Sequence, residues 1–266
     1  MDKVFIEDLA SRFIFENPEN IISDPSYNKT GVKIWNNPLF GYADADDYIF
    51  SMFKNERVVT EKYLLPGEWL PGAKTVISFF LPYTDEVRIS NRAGDEPSFE
   101  WLYGRIEGHK FLIKLCNEIA ESLRSAGFKA EIPSISDRFA FYRDPNAIQQ
   151  FASNWSERHT AFACGIGTFS LSKSIITEKG SAGRLGSIIT DAVFEPTIRT
   201  YEEIYENCSK CGVCVDRCPV GAISLETGKS HPPCSEYNDK MGQKYAPRYG
   251  CAKCQCGCPC ESGIPT

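Results

Sequence analysis

Apolar side chains recur at helical spacing across residues 3–16, which predicts a helix there. Residues 17–45 are rich in Asn, Pro, Asp and Gly and read as loop. Ala43-Asp-Ala-Asp-Asp47 predicts the start of a short helix through Met52, its acids at the positive end of the helix dipole. After the turns at Pro66-Gly67 and Pro71-Gly72, Thr75-Val-Ile-Ser-Phe-Phe-Leu81 is short, β-branched and aromatic, and predicts a buried strand. Residues 98–127 carry Leu112, Leu115, Ile119 and Leu123 on one stripe. They predict a long amphipathic helix, interrupted near Gly108 and stopped at Gly127. Lys129 to Pro133 predicts a short strand, Asp144-Pro145 a helix running toward Trp155, and Ser187 to Val193 a further strand. Between them a helix ends at Gly165, and an apolar strand begins near Ser174. Alternating strands and helices over about the first 200 residues predict a layered α/β or α+β fold.

Composition narrows the picture without changing it. The chain has 266 residues, enough for one large domain and a small module. With 42% apolar and 24% charged residues it is globular, not disordered. A net charge of −6 argues against general nucleic-acid binding. No stretch approaches the apolar length of a membrane span, and the acidic start Met-Asp-Lys-Val-Phe-Ile-Glu-Asp does not resemble a signal peptide. The expected location is therefore the cytoplasm, where thiols stay reduced and cysteines serve as ligands.

Ten of the 12 cysteines lie between Cys208 and Cys260. Cys208, Cys211, Cys214 and Cys218-Pro219 form C-x2-C-x2-C-x3-C-P, the run that wraps iron–sulfur cubanes in bacterial ferredoxins. Zinc is the alternative metal, but four cysteines at this spacing before Pro make a poor tetrahedral zinc pattern. Tight spacing lets Cys208, Cys211 and Cys214 converge on one cluster. Its remote fourth ligand is expected to be Cys258, which Pro259 follows. Cys218 then joins Cys234, Cys251 and Cys254 on a second cluster. Two [4Fe–4S] clusters are thus expected, with Cys256 and Cys260 as spare thiols and Cys116 and Cys164 as packing residues. Dense clusters of this kind also favour an anaerobe or a low-oxygen cytosol.

The chain resembles the cobalamin-dependent epoxyqueuosine reductases and, more distantly, the corrinoid reductive dehalogenases. The resemblance covers most of residues 65–261. It rests on Leu70-Pro-Gly-Ala-Lys-Thr-Val-Ile-Ser, Glu157-Arg158 ahead of Gly165-Ile-Gly167, and Leu185-Gly-Ser-Ile-Ile-Thr-Asp191. It continues through Pro219-Val-Gly-Ala-Ile223, Cys234-Ser-Glu-Tyr237 and Tyr249-Gly-Cys-Ala-Lys-Cys-Gln255. It implies an α+β architecture: a nitroreductase-like large domain over 1–200 cradling a base-off corrinoid, then a ferredoxin-like two-cluster domain over 201–266. Two departures set limits. Where the family carries an aspartate before the Glu-Arg pair, this chain has Phe151-Ala-Ser-Asn154. Where the family's loop ends in lysine and asparagine, Gly165 to Ser172 has neither. Epoxyqueuosine reduction itself is therefore not expected.

A corrinoid supplies the reducing metal, so the protein must position a substrate and donate a proton. The candidate donors are Tyr142, Glu157 and His159, the last able to titrate near neutrality. The candidate cofactor-binding residues are Arg158, Gly165, Gly167, Thr168, Ser170 and Ser172. The expected function is a cobalamin-dependent reductase of a small or modified-nucleoside substrate, fed by an external donor such as ferredoxin or flavodoxin. The alternative is an electron-transfer protein that reduces a partner's corrinoid and has no substrate of its own.

Overall fold

A computed structural model describes all 266 residues. The first element is helix α1, Lys3–Glu16, opened by Asp2, whose carboxylate accepts from the Phe5 amide at 2.9 Å. Strand β1, Leu39–Asp44, follows, then the short helices α2, Tyr48–Met52, and α3, Pro66–Trp69. Strand β2, Thr75–Pro82, is buried along its whole length. Helix α4, Asp85–Ser90, leads into α5, Phe99–Ser125, capped by the Ser98 hydroxyl at the Trp101 amide, 3.1 Å away. Strand β3, Ala130–Glu131, precedes a hairpin of β4, Phe141–Arg143, and β5, Phe151–Ser153. Helix α6, Glu157–Ala163, leads to a second hairpin, β6, Gly167–Phe169, and β7, Ile175–Thr177. Strand β8, Gly183–Thr190, closes the body.

The main sheet is antiparallel in the order β1-β2-β8-β3, with Tyr42 opposite Ile77 and Ile77 opposite Ile188. Strand alternation sends successive side chains of β2 to opposite faces. Ile77, Phe79 and Leu81 join a core with α1 and α5, including Ile6, Ile14, Phe111 and Leu115. Val76 and Phe80 join a second core with Phe50, Trp69, Trp155 and Ala161. A strand buried on both faces reads as a near-continuous apolar run, and β2 does so apart from Thr75 and Ser78.

Three expectations change. Residues 39–44, read as loop, form β1. The helix predicted from Asp144 toward Trp155 is instead the turn and second strand of the β4–β5 hairpin. Helix α5 runs unbroken through Gly108, which is there for contact: a Cβ at that position would lie 2.8 Å from the Trp35 ring.

The cysteine-rich segment is stapled along the body. It contains α7, Val213–Asp216, the short pair β9, Ile223–Ser224, and β10, Gly228–Lys229, and α8, His231–Tyr245. The Thr197 amide donates to Tyr42 O at 2.8 Å, and the Phe169 amide to Ile204 O at 2.7 Å. Returning along the chain's end, the Ser181 amide donates to Cys260 O at 2.8 Å and Ala182 to Glu261 O at 3.2 Å. No helix is long and apolar enough to cross a membrane.

Candidate iron–sulfur centre and cofactor cleft

The 12 cysteines form no disulfide, and nine of the ten between 208 and 260 line one or other of two cavities. Cys208, Cys211 and Cys214 line a small pocket with Cys258 and Cys260. Gly212, at φ +80°, makes the turn that starts α7 and carries Cys214 inward beside Leu171 and Ile223. Cys218, Cys234, Cys251 and Cys254 line a different, larger cavity. Their sulfurs already meet donors: the Ala222 amide lies 3.2 Å from Cys218 Sγ, and Asn238 Nδ2 3.6 Å from Cys234 Sγ. N–H···S contacts of this kind surround protein-bound clusters and stabilise thiolate charge. Cys256 is fully buried, 3.5 Å from Asn91 Nδ2, and lines neither pocket. Cys260 lies 3.6 Å from Cys258, sulfur to sulfur, so both thiols reach the first pocket.

The cavity of the second group, about 560 Å³, adjoins one of about 350 Å³ under the β4–β5 hairpin. Phe141, Phe151, Arg158, Lys173 and His231 line both, so the two make one cleft. One wall carries thiols, the other aromatic rings and cations. Arg158 Nη1 donates to the Lys173 carbonyl at 2.7 Å. Arg143 lies 5.1 Å over the Phe151 ring, a cation–π contact. Arg143, Arg158, Lys173 and Lys229 pair with no carboxylate. In a chain of net charge −6 the cleft is thus a local positive field. Burial, with Lys173, Arg158 and Lys229 nearby, pushes His231 down to about 4.

The sequence-predicted residues separate here. Arg158 and His159 reach the cleft. His159 does not titrate near neutrality: burial, reinforced by the charges of Arg158 and Lys173, pushes it down to about 3. Its Nδ1 is 2.8 Å from Ser156 Oγ, and its ring packs edge-on to Phe53. Tyr142 lies on the wrong face. Alternation along β4 turns Phe141 and Arg143 to the cleft and Tyr142 away, under Lys62 Nζ at 4.6 Å. Glu157 points into the interior; both carboxylate oxygens are shut from solvent, and burial raises its pKa to about 7.

Of the loop residues, Gly165, Gly167 and Thr168 do not line the cleft. Gly165 stops α6 at φ +78° against the Thr197 side chain. A Cβ on Gly167 would run into Ile176 O, its hairpin neighbour. The Thr168 hydroxyl accepts from the Asn207 amide at 2.8 Å, joining body to cysteine segment. Ser170 and Ser172 face the first cysteine pocket, their hydroxyls closed in a triangle with Ser174 at 2.8–2.9 Å. Ser172 also touches the cleft. Sequence reasoning missed Phe141, Phe151, Lys173, Lys229 and His231. The signal for the first was an alternating Phe-Tyr-Arg run that reads as a strand face; the cations stand alone in the sequence and gave none.

Fold and cysteine array together define a reductase-like iron–sulfur protein. The 4Fe-4S binding domain family matches residues 201–224. The chain is 34% identical over 221 residues to the epoxyqueuosine reductase of Bacillus anthracis, spanning 77% of this chain and 52% of that one. It is 28% identical to that of Bacillus cereus over the same length and shares. The chain thus spans about half the length of the curated relatives it matches. The solved epoxyqueuosine reductase from Streptococcus thermophilus superposes with a TM-score of 0.54 at 18% identity, covering 99% of this chain and 67% of that one. A catabolic reductive dehalogenase superposes with a TM-score of 0.58 at 12% identity, covering 99% of this chain and 36% of that one. These two likenesses carry the fold. The resemblance to epoxyqueuosine reductases and reductive dehalogenases read from the motifs is therefore shown.

Proposed function

We propose that the chain is a redox enzyme in which two [4Fe–4S] clusters deliver electrons to a corrinoid held in the cleft, for reduction of a small or modified-nucleoside substrate. One observation carries this reading: Cys218, Cys234, Cys251 and Cys254 open onto the same cavity as Phe141, Phe151, Arg158 and Lys173. Electrons leaving a cluster there meet a ligand-sized space. The division of the thiols between two cavities supports two cubanes, with Cys208, Cys211, Cys214 and Cys258 as ligands of one and Cys218, Cys234, Cys251 and Cys254 of the second. The cleft fits a large, polar-edged macrocycle: aromatic faces at Phe141 and Phe151, amide and hydroxyl partners at Gln149 and Ser153, and cations at Arg158 and Lys173. When bound, the corrinoid would supply a low-potential reducing metal. The chain's own groups would bind it, exclude water, and orient substrate against Arg158 and the neutral His159 imidazole.

The relatives point the same way. One solved reductive dehalogenase is described with a mechanism for B12-dependent dehalogenation, and one epoxyqueuosine reductase was solved with an epoxyqueuosine-modified tRNA stem loop. A second reading is favoured by the smaller cavity, whose lining contains no carboxylate to act as acid. On that reading the chain transfers electrons to a partner's corrinoid, without a substrate of its own.

Anaerobic reconstitution with iron, sulfide and cobalamin separates these readings. Two cubanes require on the order of eight irons per chain. A content near half of that sinks the two-cluster reading. Co-elution of cobalamin with a changed spectrum supports the enzyme; eight irons without cobalamin retention leaves the electron-transfer protein.

A further inference from the structure

Lys253 lies between Cys251 and Cys254, and its side chain is among the largest that are wholly buried, with the residue 1% exposed. Its Nζ donates to Asn91 O at 3.0 Å and to Ala93 O at 2.6 Å. No carboxylate pairs with it. Carbonyl dipoles solvate an ammonium but do not neutralise it, and an unpaired buried charge is strongly unfavourable unless an opposite charge lies close. The negative group that acts on it most strongly is the Cys251 sulfur, ahead of Cys256 and the Asp95 carboxylate. Lys229 is the second such cation. It lines the cleft with Cys234 and Cys254, interacts with both sulfurs, and also lacks a carboxylate.

The first cysteine group is differently surrounded. Its pocket is lined by the neutral hydroxyls of Ser170 and Ser172, and its one lysine, Lys210, is exposed at the surface beside the exposed Cys211. Solvent screens an exposed charge and leaves a buried one largely unscreened. Arg217, like Lys253, lines neither pocket; it is half-buried, and its Nε donates to Lys253 O at 3.1 Å and its Nη2 to Arg92 O at 2.8 Å.

We propose that Lys253 and Lys229 hold the reduction potential of the cleft-side centre (Cys218, Cys234, Cys251, Cys254) above that of the outer centre (Cys208, Cys211, Cys214, Cys258). The inference rests on the two-cluster reading above. A four-thiolate cubane gains one negative charge when it takes an electron, and fixed positive charge nearby favours that reduced state. One electron from an external low-potential donor enters at the exposed Cys211 side. It then passes from the outer centre, which is oxidised, to the cleft-side centre, which is reduced. No bond forms or breaks. The lysines make that transfer run toward the cleft.

The test is a potentiometric titration of the reconstituted holoprotein, with dithionite as reductant and cluster EPR signals as readout. Cys234→Ala removes a cleft-side ligand and so identifies the outer centre's signal. Two midpoint potentials are expected, the cleft-side one higher. K253M and K229M should each shift the higher potential downward and leave the lower one in place, and K253R should restore it. Because K253M places an apolar chain among carbonyls, K229M, at a half-buried site, carries the same test if K253M fails to fold. Eight irons per chain with both potentials unmoved by either substitution overturns this inference alone. Iron near four overturns the two-cluster reading and this inference with it.

Discussion

Arg92 and Glu261 form a bidentate ion pair between the helical body and the last residues of the chain. Arg92 Nη2 lies 2.6 Å and Nε 3.1 Å from Glu261 Oε2, and the carboxylate side chain is 5% exposed while the arginine is 48% exposed. The Arg92 carbonyl also accepts from Arg217 Nη2 at 2.8 Å. The pair therefore pins the terminal segment that carries Cys258 and Cys260 to the loop after α4.

Arg92→Ala would leave Glu261 buried without a counter-charge. Breaking a buried pair costs roughly 3–5 kcal/mol. The half-exposed arginine is partly screened, so about 2 kcal/mol is expected here. Glu261→Gln removes the buried charge along with the pair and should cost less. Urea unfolding of the three proteins measures both. An Arg92→Ala midpoint equal to that of the unsubstituted protein would refute the pinning role.

Gly167 separates a structural from a cofactor-binding role. Its missing side chain is what lets β6 approach Ile176 O across the hairpin. Gly167→Ala forces that strand pair apart, at a cost of about 1–3 kcal/mol, as for other overpacked sites. On the proposed corrinoid reading, the expected result is a lower thermal midpoint with cobalamin retention per folded molecule unchanged. Loss of affinity at unchanged stability would return Gly167 to the cleft.

These particulars show what the chain's pattern reveals and what it hides. Strand β2 was legible because a strand buried on both faces is mostly apolar, here broken only by Thr75 and Ser78, and α5 because its stripe repeats over many turns. The β4–β5 hairpin was not. Its strands are three residues long, too short for alternation to register, and Asp144-Pro145 between them mimics a helix start. The cysteines were legible because cluster geometry constrains their spacing. Arg158, Lys173 and Lys229 were not a pattern in the sequence. They meet only because α6, the β6–β7 hairpin and β10 converge on one cleft. Asn154, in the segment where the resemblance implies an aspartate, is a hairpin brace: Oδ1 accepts from the Ala140 amide at 2.9 Å and Nδ2 donates to Arg138 O at 2.8 Å.

The ligand partition predicts a graded cysteine series. Cys234→Ala and Cys258→Ala should each lower iron content after reconstitution, because each removes one of four thiolates from a centre. Cys256→Ala should retain full iron, since its thiol is buried against Asn91 and lines neither pocket. Cys260→Ala should also retain it, with Cys258 as the ligand. Full iron in Cys258→Ala, with loss in Cys260→Ala, would exchange the roles of these two neighbouring thiols.

Glu157 predicts a pH-dependent stability of known sign. Both carboxylate oxygens are buried without a hydrogen-bond partner; the hydroxyls of Ser187 and Ser134 come near and oppose the rise without reaching bonding geometry. Burial raises the carboxyl to about 7 from an ordinary value of 4.5. Between those two values the folded chain keeps the proton and the unfolded chain has released it. Stability from this group is therefore fully present below about pH 4.5, falls as pH rises to about 7, and is lost above that. A shift of this size corresponds to at most roughly 3 kcal/mol. Glu157→Gln keeps the shape and cannot ionise. It should match the unsubstituted protein at pH 5 more closely than at pH 8, where it should be the more stable of the two by up to about 3 kcal/mol. His109, His159 and His231, all pushed downward by burial, give the opposite slope, with stability lost as pH falls below about 6.5. They are common to both proteins, so the difference between the two urea-unfolding free energies at each pH isolates Glu157. A difference that stays constant from pH 5 to pH 8 would mean that the buried carboxylate is ionised throughout.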